Sequence, residues 1–149
     1  MANPIGASGM SRQLRFGADL HISAAGMNLQ RRRMKIISEN IANANATSSS
    51  PNLNPYRRKI LQAVNRVDKN LGVPVVQVRE VSLDQKDFPR FYRPQDPGAD
   101  AEGYVKQSNV QVWVEMGDMQ DANIAYSANL KAYENTRNMF LKSMSLIEP

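Results

Sequence analysis

Hydrophobic positions recur every seventh residue at both ends of the chain, and not in the middle. Near the C-terminus Met119, Tyr126, Tyr133, Phe140 and Ile147 form one such row. A companion row, Met116, Asn123, Leu130, Arg137 and Met144, sits three residues before it. Seven residues return nearly to the same side of a 3.6-residue turn, so the two rows draw one stripe along a helix. Near the N-terminus Leu20, Met27, Met34 and Ile41 keep the same spacing, with Ile37 and Ala44 beside the seam. Each end therefore reads as a long helix that needs a helical partner along its length. The ends can partner each other, other copies, or both.

The first helix is expected to begin between Asp19 and Ser23, residues that cap a helix N-terminus well, and to end by about Asn45. The asparagines at 40, 43 and 45 and the run Thr47 to Pro51 mark its end. The second is expected from near Asp118 to about Leu146, with Asp118 and Asp121 suited to its N-terminal dipole and Lys142 to its other end. Between them the period changes. Leu61, Ala63 and Val67 roughly alternate, and Val73, Val75, Val76, Val78 and Val81 form a β-branched run broken by Pro74. Val110, Val112 and Val114 alternate with Gln111, Trp113 and Glu115, the cleanest strand signal in the chain. A long loop is expected at 87–103, where prolines stand at 89, 94 and 97 and glycines at 98 and 103.

These elements predict an α+β fold. Long N- and C-terminal helices pair as a coiled coil, with a small β-rich middle segment. The expected organisation is a mobile leader at 1–18, an N-terminal helix at 19–47, a β-rich segment at 48–115 and a C-terminal helix at 116–149. Small residues at Ala42, Ala44, Ala122, Ala125 and Ala128 permit close helix approach.

A hydrophobic content of 42% and a mean hydropathy of -0.50 fit two helices with narrow apolar seams. The net charge of +5 is concentrated. Residues 1–35 hold Arg12, Arg15, Arg31, Arg32, Arg33 and Lys35 against Asp19 alone, and the rest of the chain is neutral. One basic arm of this kind can meet nucleic acid, anionic lipid or an acidic protein surface. Arg31, Arg32 and Arg33 fan over most of a helical turn and suit a charged partner. No aromatic interleaving or reader motif accompanies them, which leaves a nucleic-acid-binding helical module as the alternative reading. No secretory signal is expected, because glycines 6, 9 and 17 and arginines 12 and 15 break the first twenty residues. No stretch approaches the roughly 20 apolar residues of a membrane span.

Chemistry is sparse. There is no cysteine, and His21 is the one histidine, so neither a thiolate nor a histidine metal site is expected. Asp100 and Glu102 before Gly103 lack the further acids of a calcium loop. No phosphate-binding loop, zinc-protease motif or nucleophile elbow is present. The expectation is a protein with no catalytic residues, no cofactor and no small-molecule substrate. Trp113 either packs under a helix or waits for a neighbour.

Several motifs then carry a resemblance. Ile22 to Met27 (ISAAGM) and Glu39 to Thr47 (ENIANANAT) resemble the N-terminal signature of bacterial flagellar rod and hook proteins. Pro55 to Lys59 (PYRRK), Asp96 to Val105 (DPGADAEGYV), Asn109 to Met116 (NVQVWVEM) and the stretch from Ala125-Tyr126 through Ala132-Tyr133 narrow it to a proximal-rod component. The match covers about residues 20–147; the leader is longer than usual, and Gln111-Val112-Trp113 departs from the family pattern. The resemblance implies terminal helices stacked around an export channel, with β-rich domains outside. It implies passage through a type III export gate and helical assembly into a torque-transmitting rod. Implied partners are other copies, other rod proteins, membrane-ring and adaptor proteins of the basal body, and the export apparatus.

Overall fold

The structure, a computed structural model, describes residues 4–146, with side chains from Arg15 onward. Its elements are helix α1 (Pro4–Ala42), strands β1 (Lys59–Val67), β2 (Pro74–Leu83), β3 (Arg90–Tyr92) and β4 (Tyr104–Lys106), and helix α2 (Val112–Ser145). The α+β class expected from the sequence holds. No described helix is long and apolar enough to cross a membrane.

Three boundaries differ from expectation. The segment read as a leader is helical from Pro4, so α1 starts well before Asp19. Proline suits the first helical position because its fixed φ matches the helix and its missing N–H needs no partner there. Farther along, Phe16 meets Phe140 edge to face at 5.7 Å, a contact that offsets the poor helix propensity of Gly17. At the other end α1 stops at Ala42, because the asparagines turn the chain: Asn43 N donates to the Asn40 and Glu39 carbonyls, and its side chain to Glu39 O at 2.8 Å. The third difference is larger. Val112 and Val114 lie in the first turns of α2, not in a strand. Gln111 O accepts from Val114 N at 3.0 Å and Glu115 N at 3.1 Å, which closes the opening turn.

The β elements form two separate two-stranded sheets, β1–β2 and β3–β4. The first matches the valine-rich runs of the sequence. The second lies inside and beside the expected 87–103 loop, in antiparallel register Arg90 with Lys106, Phe91 with Val105 and Tyr92 with Tyr104. Three residues per strand leave no periodicity to detect.

Contacts sort the chain into two units. The first comprises Met1–Arg31, Ala63–Val78 and Asn123–Pro149. Here Ala18, Ser23 and Leu29 of α1 and Val75 of β2 are buried. Gly26 faces Asn129, and a Cβ at Gly26 would stand 2.5 Å from Asn129 Oδ1. Asn129 is held there by donating to Ala125 O at 2.8 Å. Among the described residues, Gln30 Oε1 is buried without a donor. The β1–β2 turn is closed by Asp68, whose carboxylate accepts from Asn70 N at 2.8 Å and Leu71 N at 3.1 Å. His21 Nε2 lies 3.5 Å from its other oxygen.

The second unit comprises Arg32–Gln62 and Arg79–Ala122. Its apolar centre is small: Ile37, Ala44, Val105, Val110 and Ala122. Thr47 bridges to Gln107 beside β4, and Ser48 N donates to Lys106 O at 3.0 Å. The loop after β3 then lies on this strip so closely that a Cβ on Gly98 would meet Ser48 O at 1.8 Å.

Two consequences are measurable. Gly26→Leu is expected to cost about 1–3 kcal/mol by overpacking, seen as a lower urea midpoint. Asn129→Ala beside it should recover part of that loss, and an unchanged midpoint in Gly26→Leu would remove the close approach. For the hairpin, the N–H groups of Asn70 and Leu71, aided by His21, hold the Asp68 carboxyl below its ordinary value of 3.8. A depressed carboxyl stabilises the fold above its unfolded pKa and stops doing so as pH falls through its folded one. Asp68→Asn should therefore lower the urea midpoint near neutral pH, with the difference vanishing in strong acid. A difference independent of pH would assign it to shape instead of charge.

Candidate functional site

Glu115 is fully buried on the first turn of α2. A carboxylate taken out of water must be bonded and charge-compensated, or it costs several kcal/mol. Glu115 meets that requirement through two segments distant in sequence. Its Oε1 accepts from Arg58 Nε, and its Oε2 accepts from Asn40 Nδ2 at 2.9 Å.

Each donor is itself held. Asn40 Nδ2 also donates to Lys59 O at 2.9 Å, while Asn40 Oδ1 accepts from Lys59 N at 2.9 Å and from the Tyr56 hydroxyl at 2.9 Å. One asparagine at the end of α1 thus reads the backbone at the start of β1 from both sides. Arg58 bonds Asp118 Oδ2 at 3.1 Å, and its Nη1 lies 3.6 Å from Asp84 Oδ2. Its backbone N donates to Asn109 Oδ1 at 2.8 Å, and Asn109 Nδ2 reaches Asp84 O and Lys86 O. Arg57 donates to the same two carbonyls and lies 4.2 Å over the Phe88 ring.

The charges agree with this geometry. Desolvation lowers the Arg58 pKa, but its hydrogen bond to Glu115 and the charges of Glu115, Asp118 and Asp84 outweigh that and raise it. The guanidinium is therefore a permanent cation facing three carboxylates. Burial pushes the Tyr56 phenol up, which keeps its proton available for Asn40. Lys59 is raised by its hydrogen bond to Glu39 Oε2 at 3.1 Å. An open cleft of about 320 Å³ lies beside the cluster, lined by Arg33, Asp118 and Asp121 among others. The polar atoms at its centre are bonded to one another, so the arrangement is a tie between the end of α1, the start of β1 and the start of α2.

The seam residues named from sequence fall into two groups. Met119, Tyr126, Tyr133 and Phe140 are half-buried on α2, as are Leu20, Met27, Met34 and Ile41 on α1, and Ile37 is buried. The companion row is not the inner one. Met116, Asn123, Leu130, Arg137 and Met144 are all exposed, and the row one residue earlier, Glu115, Ala122, Asn129, Thr136 and Ser143, turns inward. Apart from Glu115, its side chains are small enough to fit close approach better than Leu or Met would. Ile147 lies outside the described residues. The arginine run divides as well: Arg31 and Arg32 are exposed and Arg33 lines the cleft. Trp113 is 85% exposed.

Sequence reasoning missed the roles of Asn40, Tyr56, Arg58, Asn109 and Glu115, although all five lie in the motifs that carried the resemblance. The available signal was Glu115 itself, a carboxylate among valines. Breaking the tie should be costly. Glu115→Ala leaves the Arg58 cation short of its nearest partner and is expected to lose about 3–5 kcal/mol in urea unfolding. Arg58→Lys should lose most of the same stability, because an ammonium cannot present the planar fork that reaches three carboxylates. A change below about 0.5 kcal/mol in Glu115→Ala would show that the carboxylate carries little of the fold.

Parts of the chain match known protein families. Residues 20–48 match the family described as flagella basal body rod protein, and residues 101–146 match the C-terminal family of the flagellar basal body rod proteins FlgEFG. The flagellar basal-body rod protein FlgC of Agrobacterium fabrum is 40% identical over 85% of this chain and 91% of its own. FlgC of Aquifex aeolicus is 37% identical over 81% and 89%. FlgC of Bacillus subtilis is 33% identical over 85% and 95%. The two matched stretches contribute Asn40 and Glu115, the two ends of the buried tie. The chain belongs to the FlgC family of flagellar basal-body rod proteins.

Proposed function

We propose that this chain is a structural subunit of the proximal rod of the flagellum, assembling helically with its own copies and with other rod proteins into a torque-transmitting shaft. The observation that carries the reading is the division of α2 into two heptad rows. One, from Met119 to Phe140, is half-covered within the chain; the other exposes Met116, Leu130 and Met144. These apolar residues recur at every second heptad, with Asn123 and Arg137 between them, and read as a helix seam without its partner. The deepest positions on α1 include Ser23, Gly26 and Asn40, small or polar residues that contribute little apolar burial. A subunit built this way gains stability from neighbours.

In this reading α1 and α2 pair as a coiled coil at the wall of the export channel. The β-bearing segment faces outward toward the ring and adaptor proteins of the basal body. The chain reaches the periplasmic rod through the type III export apparatus, without a cleaved signal. Arg31, Arg32 and Arg33 supply charged contacts to neighbours. The nucleic-acid alternative is disfavoured by Arg33, which lines a cleft with Asp118 and Asp121 instead of extending the exposed basic face.

Substitution of the exposed row tests the reading. Leu130→Asp and Met144→Asp should leave the monomer within about 0.5 kcal/mol of wild type, as surface changes do. In a strain lacking the native protein they should abolish swimming and leave basal bodies without complete rods under the electron microscope. Normal rods and swimming in both variants would remove this row from the assembly.

A further inference from the structure

Trp113, Gly117 and Asp121 stand four residues apart on the first turns of α2 and form one outward row. All three are exposed. Their identities are hard to account for within the chain. Trp113 leaves a large apolar surface in water. Gly117 sits inside a helix, where glycine costs about 1 kcal/mol relative to alanine, yet a Cβ there would meet nothing within 4 Å. Asp121 makes no ion pair among the described residues, whereas Asp118 is held by Arg58. A ring face, a notch and a carboxylate in line suit the guanidinium of one arginine. Trp113 and Asp121 are about 12 Å apart along the helix axis, so a guanidinium seated over Gly117 stacks on the indole on one side and bonds the carboxylate on the other.

The same chain exposes the complementary group. Arg31 and Arg32 are exposed on α1; among the described residues Arg31 bonds Asn28 Oδ1, at 3.0 Å, and neither arginine makes an ion pair. Glu115 and Asp118 in the first turns of α2 offset the positive end of its dipole, which would otherwise repel a cation. We infer that the Trp113–Gly117–Asp121 row of one copy receives Arg32 of a second copy. The contact joins two different patches, so each copy offers one and accepts one. It is heterologous and propagates without closing. The inference rests on the reading of the chain as a self-assembling rod subunit, and adds which surfaces meet.

Trp113 is the sole tryptophan, so its own fluorescence reports the contact. In a concentration series of the purified full chain, followed in parallel by sedimentation, emission should shift to the blue as copies associate. Asp121→Lys and Arg32→Glu should each weaken association by roughly tenfold or more. The double variant Asp121→Lys Arg32→Glu should recover it, as should an equimolar mixture of the two single variants, in which every junction is again paired. Gly117→Leu should raise helix stability yet weaken association, which separates a lost contact from a lost fold. Association that survives all the single variants overturns the inference and leaves the rod-subunit reading standing. A chain that stays monomeric throughout, or an indole signal that moves only with an added different rod protein, also overturns it. Whether the exposed row of α2 takes part in assembly is decided separately by the Leu130 and Met144 variants in cells.

Discussion

A carboxylate held away from water sets the local architecture around the start of α2. Glu115 cannot be buried alone, and the strand suggested by the alternating valines would not place it against both Arg58 and Asn40. The helical start at Val112 does. The segment therefore follows the demand of one charged group over the preference of three β-branched ones. Buried ion pairs are poor sources of net stability, since desolvation cancels much of the attraction. Their value here is geometric. A misregistered α2 or β1 would strand Glu115 or Arg58 without a partner, so the tie penalises near alternatives to the native arrangement.

The tie also explains how recognition motifs far apart in sequence belong together. Asn40 stands at the start of one motif, Tyr56 and Arg58 form the core of another, and Asn109 and Glu115 bracket a third. Each reads as an ordinary polar stretch by itself. In the fold, Asn40 satisfies the N–H and C=O of Lys59 at once, and Asn109 does similar work for Arg58 and Asp84. Backbone groups at the entry to β1 have no ladder partner on that side, so side-chain amides with both donor and acceptor take the place of a neighbouring strand.

Much of this was legible in the sequence. The two helices announced themselves by heptad spacing, and the β1 and β2 stretches by alternating apolar positions and a run of valines; the Asp68 turn that joins them went unread. The exact inner row of α2 was not legible. Met116, Leu130 and Met144 are more hydrophobic than Glu115, Asn129 and Ser143, and periodicity weights hydrophobicity, whereas a tight helix contact rewards small size. The helical leader was hidden by its glycines, whose low propensity is overruled by distant packing such as Phe16 on Phe140. Strands β3 and β4 were too short to show a period. The basic run was visible as a charge, but its split between an inward Arg33 and outward Arg31 and Arg32 depends on helix rotation. Composition contains no trace of that.

The loop after β3 rests its backbone directly on the backbone of Ser48, with Gly98 as the point of closest approach. Side chains are excluded from that spot, and the loop is held from within by the Asp96 and Asp100 carboxylates, which accept from Gly98 N and Tyr104 N. Its tip, by contrast, is open at Ala101 and Glu102. The loop is thus anchored by a missing side chain at Gly98 and by two aspartates, while positions 101 and 102 are left open. For tracing a rod subunit in a living cell, an epitope inserted between Ala101 and Glu102 would ride on a fixed stalk, whereas the same insertion a few residues earlier, at Gly98, would pry the stalk from its base.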